Sequence, residues 1–340
     1  MKLALVTDAW RPQINGVVTT LSTITERMRA RGHRVEIFTP DQFRNWPCPT
    51  YPEIRLALGS RAVLYRKLEA FDPDAIHIAT EGPLGLAARR YCLSKRLPFT
   101  TSFHTLFAEY IKVRTGLPLA IGYAFLSWFH NRAERTMAAT PGMVERLEKW
   151  GFRSPVLWSR GVDTDLFRPS PKDILPSAGP RLMYVGRVAV EKNLEAFLKL
   201  DTPGIKYIVG DGPQRKELEG KYPEAVFLGY KQGEELARYV AAADVFVFPS
   251  LTDTFGLVML EALACGVPVA AFPVSGPRDV ILSERVGCLN SSLKKAIETA
   301  LTLNPQDCRE YALGYSWSDC AYSFESHLAP IRRASTLAAT

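Results

Sequence analysis

The chain has 340 residues, of which 47% are hydrophobic and 23% charged, and its formal net charge at pH 7 is +7. This length and composition are typical of a globular protein with about two domains, each large enough to bury its own core. No apolar run reaches the roughly 20 residues that a membrane-spanning helix needs, so the sequence predicts no such helix.

The positive charge is concentrated in residues 1–168, which carry 24 Lys and Arg against 15 Asp and Glu; residues 169–340 carry 18 against 20. A basic half suits anionic lipid or nucleic acid, although charge alone favours a solvated surface without a partner. The six cysteines form no C-x-x-C pair and no zinc-ligand spacing. Their spacing favours the interpretation that they are reduced thiols in a cytoplasmic protein.

Short apolar strands alternate with helical stretches along both halves of the chain. In the first half, strands are predicted at residues 3–7, 34–39, 75–79 and 99–103, with a helix between the first two that ends at Gly32. In the second half, strands are predicted at 181–185, 206–209, 225–228, 245–248 and 267–272. The alternation predicts an α/β protein with parallel, doubly wound sheets.

A proline-rich segment at residues 168–180 separates the two halves. It predicts a linker between domains 1–168 and 169–318. Two Rossmann-like domains joined in this way would face a central cleft, and their ligands would bind at the carboxyl ends of the strands.

The segment SLTDTFGLVMLEALACG, residues 250–266, places Asp253 before a predicted helix and Glu261 within it. Backbone N–H groups at the helix start, in residues 254–256, favour an anion. With Asp253 accepting hydrogen bonds from a sugar and Glu261 from a ribose, the pattern indicates a nucleotide-sugar site. The alternative is an amphipathic core helix capped by Thr252 or Asp253.

Two cations follow the first strand of the second half. Arg187 ends VGR and Lys192 lies in EKN at the start of the next helix, so both can converge on a diphosphate and make a metal unnecessary. Exposed, solvated cations are the alternative. The nearby Gly210 and Gly212 do not complete a dinucleotide fingerprint, which argues against an oxidoreductase.

In the first half, Gly16 lies in a strand-to-helix loop and allows main chain to approach a phosphate or sugar, although a plain turn is nearly as compatible. His104 follows a strand at its carboxyl end, which favours a functional role. His77 lies within a strand and is interpreted as a core residue. The D-x-D sequences at 72–74 and 163–165 are interpreted as turns and caps, so no metal is expected.

The segment 117–139 is apolar and aromatic and is flanked by basic residues. Trp128, Phe129 and Arg132 suit a membrane interface, and a buried packing helix is an equal alternative. The basic charge of this half shifts the interpretation slightly towards an anionic membrane surface. No nucleic-acid-binding module is found, and no nucleic-acid partner is expected.

In combination, six segments resemble the glycosyltransferases of family 4, which have the GT-B fold. The segments are TDAWRPQINGVV, TSFHT, SRGVDTDLFRP, VGRVAVEKN, VGDGP and TDTFGLVMLEALACGVPV. With TDTFG and PVSGP, the chain is similar to bacterial enzymes that glycosylate membrane diacylglycerol. The resemblance implies a final helix, at about 319–340, that crosses back to the first domain, and Asp253 stands where Glu is commoner.

The resemblance also implies residue roles. Arg187 and Lys192 would hold the donor diphosphate, Glu261 the ribose, and Gly16 would lie beside the phosphate. His104 would lie beneath the sugar ring. The donor sugar would be contacted by Asp253 and by N–H groups of Thr254, Phe255, Gly256 and Leu257.

The activity implied is retaining α-transfer of a sugar from a UDP-sugar such as UDP-glucose to a lipid such as diacylglycerol. No cofactor is expected, and the location would be peripheral, on the inner face of the cytoplasmic membrane. The rival activity is GDP-mannose-dependent mannosyl transfer to a lipid or polysaccharide intermediate. Since no carboxylate at the motif positions is an obvious nucleophile, same-face substitution is favoured over a covalent intermediate.

Overall fold

The structure is a computed structural model that describes residues 1–13, 15–48, 55–176 and 178–332, the side chains of residues 113 and 114 excepted. The chain divides into two compact units. The first contains Met1–Ser159 and the chain from Cys320 onward, and the second contains Arg160–Asp319.

The first unit alternates strands and helices. Its strands are β1 (Lys2–Val6), β2 (Arg34–Phe38), β3 (Trp46–Pro47), β4 (Arg55–Leu56), β5 (Ala75–Ile78), β6 (Thr100–Phe103), β7 (Arg135–Ala138) and β8 (Pro155–Leu157). Its helices are α1 (Gly16–Ala30), α2 (Arg61–Phe71), α3 (Pro83–Lys95), α4 (Phe107–Thr115), α5 (Leu119–His130) and α6 (Pro141–Lys149), with a 3₁₀ turn at Pro40–Gln42.

Six of these strands form a parallel sheet in the order β2-β1-β5-β6-β7-β8. The short pair β3–β4 is antiparallel and separate. The central strands β5 and β6 are buried throughout, as expected for a parallel sheet covered on both faces. The order reverses between β1 and β5, and ligands of doubly wound sheets bind at such a reversal.

Helix α1 shows how local sequence sets an element of this unit. The Asn15 side chain accepts hydrogen bonds from the N–H groups of Val17 and Val18 and so caps the helix start. Its inner face buries apolar residues at helical spacing, among them Leu21 and Ile24, and Gly32 follows the helix with φ +84°.

The second unit has the same architecture. Its strands are β9 (Arg181–Val185), β10 (Ile205–Val209), β11 (Val226–Gly229), β12 (Val245–Phe248), β13 (Val269–Ala271) and β14 (Gly287–Leu289). Its helices are α7 (Leu194–Leu198), α8 (Arg215–Lys221), α9 (Gly233–Ala241), α10 (Leu257–Ala264), α11 (Pro277–Val280), α12 (Leu293–Ala300) and α13 (Pro305–Leu313), with a 3₁₀ turn at Val190–Lys192. A last helix, α14 (Trp317–His327), begins here and ends in the first unit.

The parallel sheet of the second unit has the order β11-β10-β9-β12-β13-β14. The chain builds outward from β9 through β10 and β11, and then returns to the other side of β9 with β12. The reversal therefore lies between β9 and β12, which places the loops that follow these two strands side by side. The predicted α/β architecture of two doubly wound sheets is confirmed.

The division between the units falls between Ser159 and Arg160 rather than at the predicted 168. Segment 160–168 is held by the end of the second unit: Arg309 donates to the carbonyl oxygens of Thr164 and Phe167, and Val162 N–H donates to Tyr315. The proline-rich segment therefore lies within the second unit. Of the predicted final segment, residues 333–340 lie outside the described residues.

All nine predicted strands are found, with ends shifted by at most two residues. The structure adds β7, β8, β14 and the pair β3–β4. Strand β7 lies inside the apolar segment 117–139, because α5 ends at His130 and the chain then turns back into the sheet. Among the described residues, no helix is both long and apolar enough to cross a membrane.

Candidate functional site

The carboxyl edge of the second sheet brings most of the predicted donor residues together. Arg187 and Lys192 follow β9, and Asp253 follows β12, the adjacent strand. Because the two strands are neighbours at the point where the strand order reverses, residues 61 positions apart meet there.

Lys192 and Asp253 form an ion pair. The Lys192 ammonium donates to Oδ2 of Asp253 at 2.7 Å, and both side chains are partly buried. Lys192 ends the 3₁₀ turn, and Asn193 next to it has φ +52°. The Asn193 amide donates to the carbonyl oxygen of Pro249 at 3.0 Å, which ties this turn to the end of β12. The backbone on both sides of the ion pair is thus fixed.

The other carboxylate oxygen of Asp253 is bonded to its own turn. Oδ1 accepts hydrogen bonds from the N–H groups of Thr254 at 2.9 Å and Phe255 at 3.3 Å. Two of the four N–H groups that were expected to face the donor therefore donate to this carboxylate instead. The N–H groups of Gly256 and Leu257 have no hydrogen-bond acceptor among the described residues.

Gly256, with φ +86°, is the cap residue of α10. The alternative interpretation, a helix capped by Thr252 or Asp253, is corrected, because the Asp253 carboxylate bonds to N–H groups before the helix starts. A Cβ at position 256 would lie 2.6 Å from the Met259 side chain, so the turn also needs glycine for space.

Arg187 is partly buried, and its backbone is held by the core. The buried Tyr184 hydroxyl donates to the Arg187 carbonyl oxygen at 2.9 Å. A Cβ at Gly186 would come within 2.6 Å of that hydroxyl, so glycine is required between the two residues. The loops after β9 and β10 are joined because Val188 N–H donates to the Asp211 carbonyl oxygen.

Glu261 is the fifth residue of α10. Burial raises the pKa of its carboxyl to about 7. The side chain keeps a partly exposed surface, and none of the described residues donates a hydrogen bond to it. A carboxyl group to which no side chain or backbone group donates can accept hydrogen bonds from a hydroxyl-bearing ligand.

The turn after β13, which contains PVSGP, also contacts this site. A Cβ at Gly276 would lie 3.3 Å from both Cβ and the carbonyl oxygen of Asp253, and Gly276 has φ +91°. Asp253 therefore contacts both turns, the one after β9 through its carboxylate and the one after β13 through its backbone and Cβ.

The first unit places the two other predicted site residues at the carboxyl edge of its own sheet. Gly16 is the exposed first residue of α1. His104 directly follows β6 and is 9% exposed, and its ring packs edge-on against Trp158 with ring centroids 5.9 Å apart. Trp158 is fixed in turn by its indole N–H, which donates to the Cys320 carbonyl oxygen.

Sequence reasoning missed Asp8, which follows β1 at the reversal point of this sheet. Its carboxylate accepts hydrogen bonds from the N–H groups of Leu84 at 2.9 Å and Gly85 at 3.2 Å and from the Thr80 hydroxyl at 2.9 Å. Burial raises the pKa of Asp8 to about 6 despite these donors. A Cβ at Gly82 would lie 2.4 Å from the carboxyl carbon. Asp8 fixes the loop after β5; the available signal was an Asp directly after an apolar strand.

Glu81, in the same loop, is part of a buried polar chain. Its Oε1 lies 3.0 Å from Nε2 of His130, and Nδ1 of His130 lies 2.8 Å from the Thr101 hydroxyl. These side-chain contacts connect the end of α5 to the loop after β5. Burying polar groups in this way is compatible with folding because each has a partner.

The other polar residues singled out in the sequence lie in a strand and in turns. His77 is buried, its ring nitrogens bond to Thr100 and Ser102, and burial lowers its pKa to about 3. Asp72 ends α2 with φ +50°, and Asp163 accepts from the N–H groups of a following turn. Within the described part of the chain, no cluster of His, Cys, Asp and Glu side chains is arranged to hold a metal ion.

Helix α5 separates the three predicted membrane residues. Trp128 is 53% exposed and Arg132 is exposed, but Phe129 is completely buried in the core of the first unit. The expectation that Phe129 faces a membrane is therefore corrected. Phe129 points inward with Tyr123 and Leu126, which lie on the same side of the helix.

Family models match most of the chain. The model described as Glycosyltransferase Family 4 matches residues 14–166, and the one described as Glycosyl transferases group 1 matches residues 179–303. A GDP-mannose-dependent alpha-mannosyltransferase of Mycobacterium tuberculosis is 33% identical over 321 residues, which covers 85% of this chain and 83% of the relative. An alpha-monoglucosyldiacylglycerol synthase of Streptococcus pneumoniae is 25% identical and covers 92% and 81%.

Solved structures agree on the fold. Sucrose-phosphate synthase from Thermosynechococcus elongatus superimposes with a TM-score of 0.76 at 23% identity, over 96% of this chain and 97% of that one. These matches, with the two doubly wound sheets, define a glycosyltransferase of the GT-B fold. The chain belongs to glycosyltransferase family 4, and it is a hexosyltransferase.

Proposed function

We propose that the protein transfers a hexose, with retention of the α configuration, from a nucleoside-diphosphate sugar to a membrane lipid such as diacylglycerol. The observation that carries the donor side is the Lys192–Asp253 ion pair at the reversal point of the second sheet. A cation for a diphosphate and a carboxylate for sugar hydroxyls lie within hydrogen-bond distance of each other there.

Each donor residue has a proposed role. Lys192 and Arg187 hold the diphosphate, so no metal or other cofactor is part of the proposal. Asp253 accepts hydrogen bonds from sugar hydroxyls, Glu261 accepts them from the ribose, and the N–H groups of Gly256 and Leu257 bind the oxygen atoms between. Two of the N–H groups assigned to the donor from the sequence, those of Thr254 and Phe255, act through the Asp253 carboxylate that they hold.

In the first unit, His104 is proposed to lie beneath the sugar ring and Gly16 beside the phosphate. The edge-on contact with Trp158 supports the first role, because it fixes the His104 ring at the carboxyl edge of the sheet. The exposed backbone of Gly16 supports the second, since main chain without a side chain permits close approach.

The proposed mechanism is substitution on one face of the sugar. The bond between the anomeric carbon and the phosphate oxygen breaks through an oxocarbenium-like state, and the acceptor hydroxyl bonds to the same face. Its proton passes to the departing phosphate. UDP-glucose and GDP-mannose are α-linked, and the relatives' names specify alpha products, which supports retention. A glycosyl adduct trapped on a carboxylate of this chain would contradict the mechanism.

The lipid acceptor is supported by the alpha-monoglucosyldiacylglycerol synthases of Streptococcus pneumoniae and Acholeplasma laidlawii, which are 25% and 28% identical to this chain. The net positive charge of residues 1–168 supports a peripheral position on an anionic membrane. The proposed location is the inner face of the cytoplasmic membrane.

GDP-mannose is a second candidate donor, and sequence identity to mannosyltransferases favours it. The GDP-mannose-dependent alpha-mannosyltransferases of Mycobacterium tuberculosis and Mycolicibacterium smegmatis are both 33% identical to this chain, more than either diacylglycerol glucosyltransferase. GDP-mannose therefore stands beside UDP-glucose as a candidate donor, with a lipid or polysaccharide intermediate as acceptor.

The test is transfer of radiolabel from UDP-glucose and, separately, from GDP-mannose into the organic-soluble fraction of diacylglycerol-containing vesicles. Lys192→Ala serves as the inactive variant and the exposed Lys199→Ala as its matched control. Label from UDP-glucose supports the first donor, and label from GDP-mannose alone supports the second. A wild-type protein that transfers neither sugar to lipid would refute the proposed function.

A further inference from the structure

Helix α5 is apolar on all sides. Its inner face buries Tyr123, Leu126 and Phe129 in the first unit, as a packing helix should. A helix that is hydrophobic all round is normally enclosed, in a protein core or in a membrane. Here the opposite face lies at the surface of the unit.

The exposed apolar side chains of α4, α5 and their connection form one group, which we call the apolar face: Phe107, Ile111, Leu117, Ile121, Phe125 and Trp128. Each of these residues is between 42% and 57% exposed, with Ile121 at 57% and Trp128 at 53%. The rings of Phe125 and Trp128 lie 5.8 Å apart. Monomeric proteins rarely expose contiguous apolar groups of this size without a partner.

Ser127 is the only polar residue of α5 at this surface, and it is partly exposed. Every exposed residue between positions 117 and 128 is apolar, and the segment contains no charged residue at all. The neighbouring α6 behaves differently, since it exposes Glu145, Glu148 and Lys149. The apolar face is therefore a specific property of the α4–α5 segment and not of helices in this unit generally.

Packing beneath the apolar face fixes it at the surface. Gly122 of α5 lies against Ala108 of α4 so closely that a Cβ at position 122 would be 2.7 Å from that side chain. The Tyr123 hydroxyl donates to Glu109, and the Tyr123 ring stacks on Trp150 with centroids 4.2 Å apart. Since the inner face is committed to these contacts, the outer face has no way to turn inward.

Two exposed cations flank the apolar segment. Lys112 and Arg132 are exposed at opposite ends of the segment, while the acidic Glu109 is turned inward and paired with Arg146. Arg89 is buried beneath this surface, where it lies 4.0 Å over the Trp128 ring and donates to the carbonyl oxygens of Trp128 and Phe129. The exposed acids Glu134, Glu145 and Glu148 lie outside this segment, beyond Arg132 and on α6. An uncharged apolar segment flanked by exposed cations is complementary to an anionic lipid surface.

We propose that the apolar face docks on an anionic bilayer, with α5 lying in the interface and its outer side chains inserted among the acyl chains. The 12 residues of α5 are too few to span a bilayer and enough to lie along one. Tryptophan and phenylalanine beside cations are the residues that membrane interfaces favour. The inference deepens the proposed function by assigning the surface that meets the lipid phase.

The experiment is co-sedimentation with vesicles of phosphatidylglycerol and phosphatidylcholine. Ile121→Ser/Phe125→Ser should weaken binding about tenfold or more, because it removes two inserted apolar side chains. Val63→Ser/Leu93→Ser, which alters two exposed apolar residues on α2 and α3, should bind as wild type does. An unchanged thermal midpoint in both double variants checks that the unit is folded.

A spectroscopic readout tests insertion directly. Wild-type tryptophan emission should shift to shorter wavelength on vesicles, and Trp128→Phe should lose most of that shift while still binding. Vesicle affinity equal to wild type in Ile121→Ser/Phe125→Ser overturns the inference. So does a wild-type dimer that this double variant converts to a monomer without loss of vesicle binding, because the face then joins two copies of the chain.

The two proposals fail in different ways. A protein that binds vesicles through the apolar face but transfers no sugar to lipid from UDP-glucose or GDP-mannose refutes the proposed function alone. A protein that transfers sugar to lipid, with equal vesicle affinity in both double variants, refutes the docking surface alone.

Discussion

Replacing Glu261 by glutamine should remove a pH dependence from the stability of the protein. Burial raises the pKa of this carboxyl from its ordinary 4.5 to about 7. The folded chain therefore holds the proton more tightly than the unfolded chain does. The stability that this group contributes is fully present below pH 4.5 and is lost as the pH rises towards 7.

The size of the effect follows from the two pKa values. Each pH unit between them is worth about 1.4 kcal/mol, so ionising Glu261 in the folded protein costs roughly 3 kcal/mol in all. Glutamine has the shape of the protonated carboxyl and cannot ionise. Glu261→Gln should match wild type near pH 4.5 and exceed it by roughly 3 kcal/mol above pH 7.

The assay is urea unfolding of both proteins at several pH values from 4.5 to 8.5, with the difference in unfolding free energy plotted against pH. Glu298→Gln, at an exposed position of α12, is the matched control and should give a flat difference. A flat difference for Glu261→Gln as well would show that the Glu261 carboxyl is not desolvated, and the reasoning would fail.

Three further substitutions test other contacts. Lys192→Ala should lower turnover by about 10²–10³-fold, since it removes a charge fixed at the proposed diphosphate site, while Lys199→Ala should leave turnover unchanged. Gly82→Ala should lower the unfolding free energy by about 1–3 kcal/mol, because its Cβ would lie 2.4 Å from a buried carboxyl carbon; a neutral result would contradict that packing. Phe129→Ala should cost about 3–5 kcal/mol in the same assay and Trp128→Ala much less, because only the first ring is fully buried; equal costs would contradict the assignment of inner and outer faces.

The residues at the edge of the second sheet were accessible from the sequence. Lys192 and Asp253 each follow a short apolar strand, and parallel strands end at one edge, so a common site could be expected. The direct ion pair between the two side chains could not be predicted, because it depends on β9 and β12 being neighbours and on the left-handed turn at Asn193.

Contacts between residues that are far apart in the sequence could not be predicted from it. Asp8 follows an apolar strand, but its hydrogen-bond donors come from residues 80–85, more than 70 positions later. In the segment 117–139, uniform apolarity concealed both the phase of α5 and the start of β7. A helix that is apolar on every side has no periodic signal to show that Phe129 turns inward while Trp128 turns outward.

The contact between Gly276 and Asp253 has a consequence for altering donor preference. Residue 276 belongs to the turn after β13, and a Cβ there would lie 3.3 Å from Asp253, so Asp253 would have to move by a few tenths of an ångström. Changes in this turn would shift the position of the carboxylate while leaving its charge and its ion pair with Lys192 chemically unchanged. Residues 274–277 are therefore a second set of positions, beside Asp253 itself, at which the proposed donor site can be varied.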